Sequence, residues 1–555
     1  MSALPPFETH VVDNQPPPFE GNGEPRDLWA DDVALREAVD REGASAFSAR
    51  LQDYARLAGD ELYRIGFDAN RDKPRLKTYD RFGHRIDAVE FHPAYHRLMQ
   101  AAKAHGVAGL SWHVESGRAS GSGAHVARAA LSYLHHQVEA GTSCPLTMTH
   151  AAVPVLRREP ALREWADKAA APHYDPRDVA IGDKAGITVG MGMTEKQGGS
   201  DVRTNATVAT PLAGSGDGEY ALVGHKWFFS APMSDGWLVL AQAPGGLSCF
   251  LLPRRLPDGS RNAFRLLRLK DKLGDWANAS SEVEFTGAWA RRIGDEGRGV
   301  ATIIEMVMLT RLDCMLGAAA EMRMALAQAV HHARHRVAFG KRLAEHALMR
   351  NVLADLTLEA EAALALSLRV ARAVDAAPHD ADEAAFARVA TAIGKYWLCK
   401  RAPAFVNEAQ ECLGGAGYVE ESILPRLYRQ APLNSIWEGS GNIQCLDVLR
   451  ALSREPETGA ALFAQLEPAR GDVAYDRFVD ALKDRLSSGQ VAEAGARGLV
   501  ERLALALQAS LLRTAGNPLA GLFVRSRLGG EHGLAFGTLP ADADVAGILE
   551  RVLPG

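Results

Sequence analysis

Residues 435–444, with the sequence SIWEGSGNIQ, place one carboxylate, Glu438, on a glycine-rich turn directly ahead of an apolar segment. Glycine has no Cβ atom, so the backbone of such a turn can approach a flat ligand closely. A carboxylate beside Trp437 and Ile436 is partly removed from water, which favours a raised pKa and a better base near neutral pH. Taken alone, the pattern fits an ordinary loop glutamate before a helix equally well.

The composition restricts the class of protein. The chain has 555 residues, a net charge of −6 and six cysteines without a CxxC pair. Its length predicts several domains, and its charge argues against a generally basic nucleic-acid binder. The scattered cysteines favour reduced thiols in a cytoplasmic protein over disulfides or a zinc site. We predict no metal site, no signal peptide and no membrane span.

Apolar periodicity and turn residues divide the chain into four predicted domains. Residues 1–180 read as an extended arm and a mostly helical domain. Residues 181–290 are short β-rich runs between Gly- and Pro-rich turns, typical of a compact antiparallel β-domain. Residues 291–453 begin with a long proline-free stretch rich in helix formers, which predicts a four-helix bundle with a break at Phe339-Gly340. Residues 454–555 read as an appended helical domain, so the fold class is α+β, mainly α.

Three further motifs precede the turn, and each has a plain structural alternative. Residues 191–201, MGMTEKQGGSD, end a strand in hydroxyl and backbone N–H groups that can hold a flavin edge, or form a polar β-turn. Residues 224–230, GHKWFFS, can stack on a flavin or form a core strand. Residues 336–340, RVAFG, can pair with a phosphate and pack on an adenine, or form a solvated helix end.

In this order, the four motifs resemble those of the acyl-CoA dehydrogenase superfamily. Its members carry a TE-x-x-x-GSD strand end, a K-x-W-I-T/S strand, an R-x-x-F-G helix break and an E-G-T/S-x-x-I-Q turn. The similarity covers about residues 185–450. The segments QVEAGTSCPLTMTHAA at 137–152 and LPRLYR at 424–429, together with the extra C-terminal helices, look like the alkylation-response AidB branch of that superfamily.

The resemblance implies an N-terminal helical domain, a β-domain and a four-helix bundle, assembled as a homotetramer with FAD between the β-domain and the bundle. It places Ser230 near flavin N5, and Arg336 with Phe339 against the adenosine diphosphate part across a subunit contact. The cofactor-binding residues that it implies are Met191, Gly192, Met193, Thr194, Gly199, Ser200, Phe228, Phe229, Ser230, Arg336, Phe339, Ile436, Trp437, Ser440 and Asn442.

The resemblance also places the catalytic base at Glu438 and assigns Arg311 to the catalytic residues. Such a base removes the α-proton of an acyl thioester as hydride leaves Cβ, while donors such as the N–H of Glu438 polarise the carbonyl oxygen. Some family members carry the base just before the arginine of the first bundle helix, where this chain has Thr310. The bulky Trp437 narrows the acyl pocket, and we therefore predict weak acyl-CoA dehydrogenase activity.

Two classes of function follow from the resemblance. The first is an FAD-binding protein of the alkylation-damage response that binds duplex DNA and oxidises acyl-CoA weakly. Phosphate binding requires basic residues on one face, but residues 451–555 hold 11 Lys and Arg against 13 Asp and Glu. The alternative is a genuine short- or branched-chain acyl-CoA dehydrogenase whose last domain serves oligomerisation. The candidate DNA-binding residues are Arg450, Arg454, Arg513, Arg525 and Arg527.

Overall fold

The computed structural model describes residues 16–20, 26–113, 123–213, 218–488, 492–545 and 547–554. Its N-terminal region is helical, as predicted, except for one antiparallel hairpin of β1 (Arg75–Tyr79) and β2 (Arg85–Glu90). The helical prediction missed this hairpin because β1 alternates only between exposed and half-buried residues and so lacks a clear apolar period. The helices are α1 (Val33–Arg41), α2 (Ser48–Leu57), α3 (Tyr63–Arg71), α4 (Pro93–His105), α5 (Ala124–Val138), α6 (Ser143–Arg157) and α7 (Arg163–Ala170).

The β-domain follows as a sheet that closes on itself around an apolar core. Its strands are β3 (Val189–Gly192), β4 (Val208–Pro211), β5 (Glu219–Ser230), β6 (Gly236–Ala243), β7 (Gly246–Pro253), β8 (Phe264–Leu269) and β9 (Ser280–Ile293). Most neighbours are antiparallel, as predicted, but β6 pairs in parallel with β3 and β4. The strand β5 is longer than the short runs predicted for this domain, and it carries the second motif.

The helical bundle begins at α8 (Gly299–His335), which ends at a small hairpin of β10 (Val337–Ala338) and β11 (Lys341–Arg342). Phe339 and Gly340 both adopt left-handed backbone at the tip of this hairpin, which confirms the predicted break. The bundle continues through α9 (Ala347–Ala376) and α10 (Ala381–Cys412) to α11 (Leu424–Gln430) and α12 (Gly441–Arg454). The turn that carries Glu438 immediately precedes α12.

The C-terminal helices share one apolar core with the bundle and the N-terminal helices. They are α13 (Pro456–Leu466), α14 (Val473–Ser487), α15 (Ala496–Thr514), α16 (Ala520–Phe523) and α17 (Ile548–Val552). α17 is shorter than the helix predicted over 543–552. Arg551 pairs with Glu37 of α1 and Glu361 of α9, so the chain end packs back on its beginning.

The cysteines and the helices bear on two predictions made from the sequence, reduced thiols and the absence of a membrane span. All six cysteines are buried and unpaired, which agrees with the prediction of reduced thiols. Within the described ranges, none of the helices combines the length and apolar character needed to cross a membrane.

Candidate active site

Glu438 lies on a turn whose backbone is held in an unusual conformation. Its φ is +57° and that of Gly439 is +92°, so two consecutive residues are left-handed. This region costs a non-glycine residue of order 1–3 kcal/mol and persists only where the surroundings hold it in place. The turn is therefore a constrained element, and the contacts that constrain it are part of the site.

The Glu438 carboxylate is enclosed by bundle residues. Thr310 Oγ1 donates a hydrogen bond to Glu438 Oε2 at 2.7 Å. Burial raises the pKa of Glu438 above its ordinary value, while the Thr310 hydrogen bond and the charges of Lys395 and Arg311 oppose that rise. A carboxylate with a raised pKa is a suitable proton acceptor near neutral pH. Thr310 occupies the position at which the resemblance places the base in some family members. Here its hydroxyl group instead holds the Glu438 carboxylate by a hydrogen bond.

Arg311 contacts the backbone of the turn. Its Nε donates to the Glu438 carbonyl at 3.1 Å, and its Nη1 donates to Asp447 at 2.7 Å. Gln444 Nε2 donates to the same Glu438 carbonyl at 3.0 Å. Arg388 holds the other side of Asp447. Arg311, which the resemblance places among the catalytic residues, thus holds the backbone of the turn that carries Glu438.

Replacing Thr310 by valine is expected to slow proton abstraction and to move its pH dependence upward. A hydrogen bond to a charged group is worth about 1.5–3 kcal/mol, and about 1.4 kcal/mol is tenfold in rate. We expect a loss of about tenfold or more at pH 7 in substrate-dependent flavin reduction, with the rise in rate shifted to higher pH. Thr357→Val is the matched control, because among the described residues that buried hydroxyl bonds the Leu353 carbonyl of its own helix and no other group. An unshifted pH profile contradicts the assignment.

The first motif lies at the end of β3, near the turn. Met191 and Met193 are partly buried and join the same apolar cluster as Trp437. Gly192 is buried within the strand, and Gly199 packs against Thr194 so closely that an added Cβ atom would lie 2.7 Å from its Oγ1. Ser200 is exposed.

One buried ion pair joins the first and second motifs. Lys226 Nζ lies 2.7 Å from Glu195 Oε1, and both side chains are fully buried. Burial opposes ionisation of the carboxyl, but Lys226 and Thr207 lower the pKa of Glu195 to about 2. The ion pair between Glu195 and Lys226 therefore links the segment that follows β3 to β5.

The second motif presents two side chains to one face of β5. Phe228 is 45% exposed and Ser230 is half-buried, while Phe229 is fully buried on the opposite face. The Phe229 ring lies 4.5 Å from that of Trp237 inside the β-domain. Strand alternation explains this arrangement. The Phe229 side chain is therefore a core residue, and the predicted flavin contact through it is not what the structure shows.

Large apolar side chains remain exposed around the predicted cofactor position. Phe339 is 97% exposed at the hairpin tip that follows Arg336, and Ile436 is 63% exposed beside the turn. Phe228 is likewise exposed, on β5, and these are three of the residues predicted to contact the cofactor.

Comparison with known proteins identifies the family of the chain. The profile of the adaptive response protein AidB N-terminal domain matches residues 14–176, and those of the acyl-CoA dehydrogenase middle and C-terminal domains match 190–288 and 297–453. AidB of Escherichia coli (strain K12) is 48% identical over 519 residues, 93% of each chain. The chain belongs to the AidB branch of the acyl-CoA dehydrogenase superfamily.

Two further relatives extend the comparison within this superfamily. Acyl-CoA dehydrogenase family member 11 of Caenorhabditis elegans is 30% identical, covering 80% of this chain and 72% of its own. Its solved structure in complex with C11-CoA has a TM-score of 0.83 at 26% identity, over 93% of this chain and 92% of that chain. The solved Bd2924 apo-form has a TM-score of 0.80 at 28% identity, over 91% and 100%. The predicted acyl-CoA dehydrogenase fold is confirmed.

The start of α12, where the superfamily motif ends, contacts the C-terminal helices. Ser440 is the exposed residue before the helix, and Asn442 is exposed on its first turn. Arg497 of α15 donates from Nε to Asn442 Oδ1 at 2.8 Å. The side-chain amide oxygen of Asn442 thus already has a hydrogen-bond partner within the chain.

Most of the arginines predicted to bind DNA in this AidB-type chain already have acidic or backbone partners. Arg527 is buried against Asp355 and Glu359, so it is not available to a phosphate, and the prediction for it is wrong. Arg525 pairs with Glu531 and Asp542, and Arg513 donates to the Ala469 carbonyl beside Asp472. Arg450 and Arg454 are exposed on α12.

Sequence reasoning missed Lys395, a residue of α10 that contacts the turn carrying Glu438. Lys395 is 1% exposed, and its Nζ donates to the carbonyls of Trp437, at 2.7 Å, and Gly439. A signal was present, because Lys395 interrupts the apolar run of residues 389–399, and lysine is rarely buried without a partner.

Proposed function

We propose that this chain is an FAD-binding acyl-CoA dehydrogenase in which Glu438 removes the α-proton of a thioester. The observation that supports this proposal is the enclosed Glu438 carboxylate on its constrained turn, hydrogen-bonded by Thr310. The N–H of Glu438 supports it as well, since it bonds to none of the described residues and can polarise the thioester carbonyl.

The residues for FAD lie on both sides of the turn. Backbone groups of residues 191–194, with Ser230, would hold the isoalloxazine edge, and Phe228 and Ile436 would cover its ring. Arg336 and Phe339, on the hairpin, would hold the adenosine diphosphate part from a neighbouring subunit in a homotetramer. When bound, FAD supplies the acceptor for the hydride that leaves Cβ of the thioester.

Weak turnover remains part of the proposal. Trp437 lies directly beside the base, packs against two apolar clusters and donates from Nε1 to Asn434 at 3.0 Å. A fixed indole at this position limits the width of an acyl pocket. We expect short or branched acyl groups to fit best, although the relative from C. elegans was crystallised with C11-CoA.

Anaerobic mixing of the flavin-loaded protein with a series of acyl-CoA thioesters tests the proposal. We expect at least one short- or branched-chain thioester to bleach the flavin absorbance, with a rate that rises as pH increases through the pKa of Glu438. Failure of every thioester to bleach the flavin would contradict the proposed activity.

The second candidate function is duplex-DNA binding in an alkylation-damage response. Arg450 and Arg454 favour it, because both are exposed on one helix and neither forms an ion pair with a described residue. The match to the N-terminal domain of the adaptive response protein AidB supports a role in such a response. A cytoplasmic location, predicted from the cysteines, is consistent with both functions.

The double substitution Arg450→Gln and Arg454→Gln is expected to weaken duplex-DNA binding and to flatten its salt dependence. Each phosphate contact contributes about 0.9 to the slope of log affinity against log salt, so the slope should fall by about 2. The measurement is a salt titration of affinity with the full chain. Arg525→Gln, whose partners are acidic side chains, is the control and should leave the slope unchanged. An unaltered slope in the double variant contradicts this surface.

A further inference from the structure

Lys395 contacts the two peptide units on either side of the catalytic residue. Its Nζ donates to the carbonyl oxygen of Trp437 at 2.7 Å and to that of Gly439. The intervening carbonyl, that of Glu438, accepts from Arg311 and Gln444. Three consecutive carbonyls of the left-handed turn are therefore bound by side chains of α8, α10 and α12.

The first of these contacts determines where the N–H of Glu438 points. The carbonyl of Trp437 and the N–H of Glu438 belong to one planar trans peptide unit, in which the two groups point in opposite directions. A cation bound to the carbonyl therefore orients the N–H away from Lys395. It also withdraws electron density from the amide, which strengthens the N–H as a donor.

We propose that Lys395 is a positioning residue that orients and polarises the Glu438 N–H toward the thioester carbonyl. This inference rests on the proposed function, because it assigns an indirect role in the same proton abstraction. Lys395 does not touch the substrate, and it acts through the peptide unit that it binds.

The surroundings of Lys395 and Glu438 are compatible with this role. Besides Lys395, the charged or titratable groups that face Glu438 are Arg311 and the thiols of Cys144 and Cys314. Lys395 also faces Cys399. Burial raises the pKa of Cys399 to about 12 and that of Cys314 well above its ordinary value, so both thiols are neutral at physiological pH. Lys395 and Arg311 are thus the cations that act on the turn.

Lys103 provides a matched control for the loss of a buried lysine. It is also 1% exposed, and its Nζ donates to two backbone carbonyls, those of Ala169 at 2.7 Å and Ile187 at 3.2 Å. It lies on α4 and is not among the groups that act on Glu438. Lys395→Met and Lys103→Met therefore remove equivalent contacts at different places.

The decisive readout is the infrared stretch of a bound thioester carbonyl. The probe is butyryl-CoA labelled with ¹³C at the thioester carbonyl, bound to flavin-loaded Glu438→Gln protein, which leaves it unreacted. We expect the stretch to lie below its value in water, and to return toward that value when Lys395→Met is added. Adding Lys103→Met should not move it. In otherwise unaltered protein, Lys395→Met should slow flavin reduction by about 10–100-fold, less than the about 10²–10³ lost with a direct oxyanion donor.

The outcomes separate this inference from the function on which it rests. If the stretch in Glu438→Gln protein equals that in water, the thioester is not bound as proposed and the function itself fails. A lowered stretch that Lys395→Met leaves unchanged overturns the role of Lys395 alone. Lys395→Gln, which keeps a neutral donor, serves if the methionine variant does not fold. It should move the stretch in the same direction by a smaller amount, and an unmoved stretch overturns the inference.

Discussion

Glu438→Gln is expected to reduce the rate of flavin bleaching by acyl-CoA by about 10²–10⁴-fold. Glutamine retains the size and the Thr310 contact of the side chain, but it cannot accept the α-proton, and general-base catalysis of this kind contributes about 10²–10⁴-fold. The measurement is the first-order rate of flavin reduction in anaerobic stopped flow. Thioester affinity should change little, because the backbone N–H remains in place.

Glu408→Gln is a suitable control for this substitution, since Glu408 is a partly buried carboxyl whose raised pKa also results from burial, and Glu438 is not among the groups that act on it. The flavin of the Glu408→Gln protein should be bleached by acyl-CoA at the same rate as that of the unaltered protein. A Glu438→Gln protein that retains more than about a tenth of that rate would show that another group removes the proton.

Arg527→Met is expected to lower the free energy of unfolding by up to about 3–5 kcal/mol, because it removes the cation that two buried carboxylates share. Asp355 and Glu359 are both buried, and Arg527 binds the two together. Asp355 retains His532 at 2.9 Å, and Glu359 retains Arg401 at 3.0 Å. The urea midpoint of unfolding measures the loss.

The pH dependence of this loss has a definite sign. Burial acts to raise the pKa of Asp355, but His532 and Arg527 together hold it below its ordinary value. An acid with a lowered pKa in the folded state contributes stability above its unfolded pKa of about 3.9, and that stability is lost as pH falls through the folded pKa. The gap between Arg527→Met and the unaltered protein should therefore narrow below pH of about 4.

Arg525→Gln is the control for this experiment too, because Arg525 forms its ion pairs in solvent. Its urea midpoint should match that of the unaltered protein. If Arg527→Met is equally stable at neutral pH, the contact between the C-terminal helices and α9 does not depend on this ion pair.

The sequence alone was sufficient to predict the features that are determined by residues adjacent in the chain. Four short motifs in one sequence order identified the superfamily, and residues 435–444 predicted the glycine-rich turn that carries Glu438. The break at Phe339-Gly340 was predictable because a glycine and an exposed aromatic residue interrupt a long helix-forming stretch. Each of these features is expressed within about ten consecutive residues.

The features that were missed depend on contacts between distant parts of the chain. Composition shows that residues 451–555 carry arginines, but it cannot show that Arg527 is buried against Asp355, 172 residues earlier. In the same way, Lys395 contacts the turn that carries Glu438 from a different helix, α10. The sequence alone therefore shows a lysine within an apolar segment but not the carbonyls that it binds. Phe229 was predicted as a flavin contact together with its neighbours Phe228 and Ser230, but in a strand its side chain points to the opposite face, into the core of the β-domain.

Exchange of the α-proton with solvent shows whether Glu438 is the group that removes it. The probe is a 3-thia-acyl-CoA, in which sulfur replaces Cβ so that no hydride can leave, deuterated at the α-carbon. In ordinary water, the flavin-loaded protein is expected to replace the deuterium by hydrogen, and the Glu438→Gln protein is expected not to do so. Equal exchange by both proteins would show that Glu438 is not the base.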